Sequence, residues 1–200
     1  LDFSVMRRIV QLAGNATVQV MVGILTWIVL IRIIAAFGSA ATAGYTIAIR
    51  LVMFAMLPAW GVSNAASTMV GQSLGSRQPD RAQQAVLTAA RYNVLFLGLV
   101  GVVFVLFAAP IVRIFTHDPE VSAMAERGLR IIALGFPLYA FGMVLMQAFN
   151  GSGDTRTPTR MNIGVFWLFE IPLAYALSRS GSIGANGIFV SVLSAYSLLA

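Results

Sequence analysis

One carboxylate stands out by its position. Glu170 lies in an apolar run, ten residues after Arg160 and nine before Arg179, so on a helix the two arginines flank it by about 15 Å on either side. In a bilayer that is the midplane, where an acid costs about 2.5–3.5 kcal/mol on insertion scales. Such an acid is expected to load a proton or hold a cationic ligand; the competing accounts are a structural ion pair to Arg32 or Arg50, or an acid facing an aqueous cleft. Asn15, Gln19 and Thr26 form a polar line at helical spacing. With Asn64, Thr68 and Gln147 they would line an interior, or hydrogen-bond one helix to the next. Pro58, Pro137 and Pro172 fall inside apolar runs. Each removes one helical hydrogen bond and frees a carbonyl four residues earlier, on Phe54, Ala133 and Leu168, which makes them kink candidates. Trp27, Trp60, Tyr139, Met143, Phe166 and Trp167 suit flat cationic molecules through cation–π and soft contacts, although lipid-facing or core packing explains each of them singly. Arg50 sits early in its span and has a stem long enough to snorkel. His117 stands alone beside Asp118 and Glu120, a poor metal site. With no nucleophile–base pair and no phosphate loop, neither enzyme chemistry nor a cofactor is expected.

The elements that must position these groups are membrane helices. Of 200 residues 58% are hydrophobic and only 10% charged, against about 25% charged in a soluble domain. There is no cysteine, hence no disulfide framework. Thirteen arginines and no lysine oppose seven acids; they are scattered between apolar runs, which fits juxtamembrane charge and excludes a nucleic-acid patch. A span needs about 20 apolar residues, and six are expected over 15–37, 42–71, 84–115, 119–149, 158–177 and 185–200, all α and forming one transmembrane lobe. The stretch Leu51 to Arg81 organises them: Ser63, Ser67 and Gly71 recur every four residues as a small face for close helix packing, with Asn64, Thr68 and Gln72 as a polar stripe beside it. Asp118-Pro119-Glu120 reads as a helix start, and Thr157-Pro158 as another.

Loops on the N-terminal side carry Arg7, Arg8, Arg77, Arg81, Arg156 and Arg160, and those on the other side only Arg179. The positive-inside rule then places the N-terminus in the cytoplasm. The loops SLGSRQPDR and NGSGDTRTPTR share turn formers, proline and arginine, which is how loops are generally built and need not be a repeat of about 80 residues. Starting at Leu1 and stopping in an apolar run at Ala200, the chain is expected to be a piece of a longer protein, and a lobe with a polar seam is expected to be unstable alone.

Three segments carry a family likeness. VGQSLGSRQPDRA resembles the cytoplasmic signature of multidrug and toxic compound extrusion (MATE) transporters, QAFNGSGDTRTPT their second cytoplasmic loop, and IPLAYALSRSGSIGANGIF their closing helix pair. The resemblance covers nearly the whole chain in the right order. It implies helices seven to twelve of a twelve-helix, two-lobe transporter of the bacterial inner membrane, the last helix truncated, with the N-terminal lobe missing as a partner. It further implies export of organic, often cationic, small molecules against a proton or sodium gradient by alternating access between lobes. Members of the family place a carboxylate on the seventh or tenth helix; here those slots fall near Gly23 and at Tyr139, so the coupling acid is expected elsewhere, at Glu170 or in the missing lobe. The alternative within the wider superfamily is a lipid or lipid-linked saccharide flippase, which would need cationic cleft residues, for which only Arg32 and Arg50 qualify. A non-transporting scaffold would have no use for Glu170, the prolines or the polar stripes.

Overall fold

The computed structural model describes residues 3–180 and 183–200. The side chain of Arg8, counted above, and residues 181–182 of the turn after Arg179 lie outside the described residues. Apolar runs become long helices, and the breaks fall at glycine and proline. Helix α1 (Phe3–Ala35) turns into α2 (Ser39–Gly75) at Gly38, whose φ of 97° only glycine adopts without strain. Helix α2 continues through Pro58 as one element. After Arg77 and Gln78, α3 (Pro79–Arg113) begins on a proline at its first position.

Within α3 the backbone leaves helical geometry at Phe107 (φ −112°, ψ 23°), three residues before Pro110. Sequence reading passed over this proline, although it carries the same signal as the three it named: no N–H, and a ring that crowds the preceding turn.

The expected span over 119–149 is two helices, α4 (Pro119–Leu134) and α5 (Phe136–Ser152), bent by 58° about Gly135. Pro137 cannot donate to Ala133, the Gly135 N–H closes a tight turn on the Ile132 carbonyl at 3.0 Å, and Tyr139 N–H restarts the ladder on Gly135 at 2.9 Å. The start of α4 has the expected cap, with the Asp118 carboxylate accepting from the N–H groups of Glu120 at 2.9 Å and Val121 at 3.0 Å. The start expected at Thr157-Pro158 comes earlier. Gly153, at φ 87°, ends α5, and the Asp154 carboxylate takes the N–H groups of Arg156 and Thr157, both at 3.1 Å, so α6 (Arg156–Asn162) opens at Arg156. The Thr157 hydroxyl also donates to Asp154, at 2.6 Å. These bonds hold the Asp154 carboxyl below its usual range.

From Ile163 to Glu170 the chain is π-helical, and it narrows again in α7 (Ile171–Arg179); α8 (Asn186–Leu199) follows. The Ile171 N–H donates to Phe166, five residues back, just before Pro172 removes a donor. Among the described residues four helices are long and apolar enough to cross a membrane, or five if the bent α4–α5 pair is one span. Leu95, Leu99 and Leu106 on α3 and Leu168 are each more than 60% exposed, an apolar surface suited to lipid and not to water. Helices α2 to α5 pack into one block around Leu97, Ala108, Leu129 and Phe136, onto which α8 adds Ile188 and Phe189. Helix α1 and the π-helical stretch stand beside this block, and the space between them is the candidate site.

Candidate functional site

Glu170 closes the π-helical stretch and is 1% exposed. Its Oε2 has no hydrogen-bond partner, and among the described residues it joins no ion pair; neither Arg32 nor Arg50 reaches it. The ion-pair account of this acid is therefore not realised. It lines a cavity of about 470 Å³ between α1, α2, α4, α5, the π-helical stretch and α8. Trp27, Trp60, Met53 and Met56 supply aromatic and thioether wall, and Tyr45, Tyr139 and Tyr196 supply phenols. The Tyr139 and Tyr196 rings lie 3.8 Å apart between centroids, and Phe166 meets Tyr196 edge-on at 5.2 Å. The Tyr45 hydroxyl is buried without a partner and its ring stacks on Phe189 at 5.6 Å. An unpaired carboxyl beside unsatisfied phenol, walled by soft apolar groups, lacks only a counter-charge.

A second cavity of about 300 Å³ adjoins the first, sharing Val20, Trp60, Tyr139, Phe166 and Tyr196. Its character is different, because Gln19, Gln147, Asn150 and Asn162 line it. Gln147 donates to Asn64 Oδ1 at 2.8 Å and accepts from Asn150 Nδ2 at 3.0 Å, and the buried Oδ1 atoms of Asn150 and Asn162 have no partner among the described residues.

The structure sorts the residues named from sequence. Glu170, Tyr139, Trp27 and Trp60 share the first cavity; Gln19, Gln147 and Met143 line the second. Asn64 stands behind Gln147 without lining either. Asn15 is turned away: its Nδ2 donates to the Thr155 hydroxyl at 3.2 Å and its carbonyl accepts from Thr159 at 3.2 Å, tying α1 to the start of α6. Arg50 is exposed and lines neither space. Trp167 is 42% exposed and its indole N–H points at the Val22 carbonyl, 3.4 Å away. Of the prolines, Pro137 follows the bend at Gly135 and Pro172 follows the π-helical stretch, whereas Pro58 lies within unbroken α2. The small face of α2 also divides. Ser63 meets Asn93 of α3, whose Nδ2 donates to Ser63 Oγ at 3.0 Å and to the Ala59 carbonyl at 3.2 Å, while Ser67 and Gly71 meet Gly151 of α5.

Sequence reasoning missed Tyr45, Tyr196 and Asn162. A phenol or amide inside an otherwise apolar helix was the available signal. Gly23, one of the two slots where the family resemblance led us to look for an acid, lines the first cavity together with Tyr139, the other.

Long apolar helices packed around an acid-bearing cavity define an all-α integral membrane protein with an internal ligand-sized space. The MatE family model matches residues 9–176, and the chain belongs to that family, whose members named here are transporters and not enzymes. It is 27% identical over 78% of its length to the probable multidrug resistance protein NorM of Thermotoga maritima, covering 34% of that protein. With the probable multidrug resistance protein YoeA of Bacillus subtilis the identity is 24% over 99% of the chain and 43% of the relative. Among solved structures, a MATE protein in complex with MaL6 superposes with a TM-score of 0.92 at 19% identity, over 100% of this chain and 45% of the other, which speaks for the fold. The chain thus spans less than half the length of these relatives.

Proposed function

We propose that the chain is one lobe, helices seven to twelve, of a secondary antiporter that exports organic, often cationic, compounds in exchange for protons or sodium. Glu170 carries the reading: a buried acid with no ion pair among the described residues and an unpartnered Oε2, facing a 470 Å³ cavity walled by aromatic and methionine side chains. Proton and cationic substrate compete there for one counter-charge position, which is the minimum an exchanger needs. Alternating access would come from movement of this lobe against the N-terminal one, with the bend at Gly135 and the π-helical stretch as places where helix geometry already departs from regular. The loop arginines favour a cytoplasmic N-terminal end of α1, although Arg32, Arg113 and Arg179 stand at the opposite helix ends, and the bacterial relatives support an inner membrane. The names of the relatives, multidrug resistance proteins, agree with this reading. The flippase alternative required arginines in the cleft, and Arg32 and Arg50 both lie outside it.

The test is ethidium efflux from everted vesicles carrying the full-length protein and its Glu170→Gln variant, on either side of neutral pH, with and without sodium. Efflux that follows the proton gradient and collapses in the variant is expected. Proton-driven efflux with an indifferent variant moves the coupling acid to the other lobe, and absence of efflux under every gradient removes the exporter reading.

A further inference from the structure

Outside the central cavities, a groove of about 400 Å³ runs between the C-terminal ends of α1 and α7. At about 30 Å³ per water-sized group it has room for some 13 of them, enough for a small headgroup and its first methylenes. Its floor is apolar, with Ile28, Val29 and Ile33 from α1. Its polar members are Arg32, Arg179 and Ser178. Arg32 lies in the last turn of α1 and Arg179 in the last turn of α7, so each guanidinium is at the end of a membrane-length helix. Both are exposed, no acid lines the groove, and neither arginine takes part in an ion pair among the described residues. Arg179 lies over the Tyr175 ring at 4.3 Å, a contact that uses the flat face of the guanidinium and leaves its N–H edge free. Two cationic forks, in no ion pair among the described residues, thus face one groove whose apolar wall extends to both sides of Arg32, one turn toward the membrane at Ile28 and Val29 and one turn outward at Ala36 and Phe37. The chemistry that complements it is an anion joined to a hydrocarbon chain.

We infer that this groove binds one anionic phospholipid, with its phosphate between Arg32 and Arg179 and its acyl chain running toward the membrane along Ile28 and Val29. The site is separate from the Glu170 cavity and does not depend on what that cavity transports. A helix dipole favours a cation at any C-terminal end, but it does not bring two unpaired arginines from different helices to one apolar groove.

The experiment is native mass spectrometry of the full-length protein titrated with phosphatidylglycerol and, separately, phosphatidylcholine. Preferential retention of phosphatidylglycerol is expected. Arg32→Gln or Arg179→Gln should weaken it about fivefold each, and the double variant about 30-fold, from the attraction typical of a single arginine near an anionic lipid. Arg32→Lys with Arg179→Lys, which keeps both charges, should retain most of the preference. Arg113→Gln, in the last turn of α3 and outside the groove, should leave it unchanged. Equal retention of both lipids overturns the site, as does undiminished phosphatidylglycerol binding by the double glutamine variant. A loss with Arg113→Gln as large as with the groove variants also overturns it, since general surface charge would then suffice.

Discussion

In the block of α2 to α5, Gly71, Gly101 and Gly151 stand where another backbone passes, although Gly61 and Gly75 on α2 do not. A Cβ on Gly151 would collide with the Ser67 backbone, and one on Gly101 would come within 2.9 Å of the Ala133 carbonyl. Along α1 and the π-helical stretch, Gly14, Gly23 and Gly164 have nothing within 4 Å of the same position. One set lets helices approach closely enough for packing to replace the hydrophobic effect, which is weak between helices in lipid. The other leaves room. The block is a scaffold, and the open side holds the acid, the phenols and the amides around empty volume. Hydrogen bonding follows the same division: Asn93 is fully buried and pinned twice to α2, whereas α1 is tied across by the partly buried bonds of Asn15, Thr159 and Trp167.

The sharpest way to break this contrast is a pair of substitutions followed by thermal or denaturant unfolding in detergent. Gly151→Leu forces Ser67 away and should cost about 3 kcal/mol. Gly23→Ala should stay within about 0.5 kcal/mol of the parent. Equal losses would mean that the two sides are packed alike. Next in size, Asn93→Ala removes two buried hydrogen bonds and should destabilise by about 1 kcal/mol, clearly more than Asn15→Ala, as intramembrane hydrogen bonds usually measure. A reversed order would put the structural seam at α1.

Glu170→Gln separates stability from function. Because the acid has no ion pair to lose among the described residues, the variant should unfold no more easily than the parent, and a gain of up to about 1 kcal/mol is expected, while efflux collapses. A destabilised variant would instead assign Glu170 to the scaffold. The smallest effect concerns Asp154. Its carboxyl is held below the usual range by the Thr157 hydroxyl and N–H, so its contribution to folding is complete above the unfolded-state value, about 3.9, and is lost as pH falls through the lowered one. The melting temperature of Asp154→Asn should therefore lie slightly below the parent at neutral pH and converge with it in acid. A difference that persists in acid would show that the charge is not what caps α6.

Much of this was legible beforehand because it is local. Hydropathy over a single run marks an apolar helix, and the spans expected over 42–71 and 84–115 fall on helices that begin at Ser39 and Pro79. The Asp118-Pro119 start needed only neighbours in sequence. The start of α6 was misplaced by two residues because two capping signals overlap, and Asp154 outcompetes Thr157 once Gly153 has turned the chain. The 58° bend was concealed because the run on either side of Gly135 is apolar enough to read as one span.

From its sequence alone this chain is a bundle of membrane helices with one deeply placed acid and a family likeness in its loops, since those properties belong to single segments. Which groups share a wall was a different question. It depends on how far each helix is rotated about its axis, and neighbours set that rotation through contacts such as Gly151 on Ser67. Only the folded chain could put Tyr45 and Tyr196 beside Glu170, turn Asn15 away to Thr155, and bring Arg32 and Arg179 together outside the cleft.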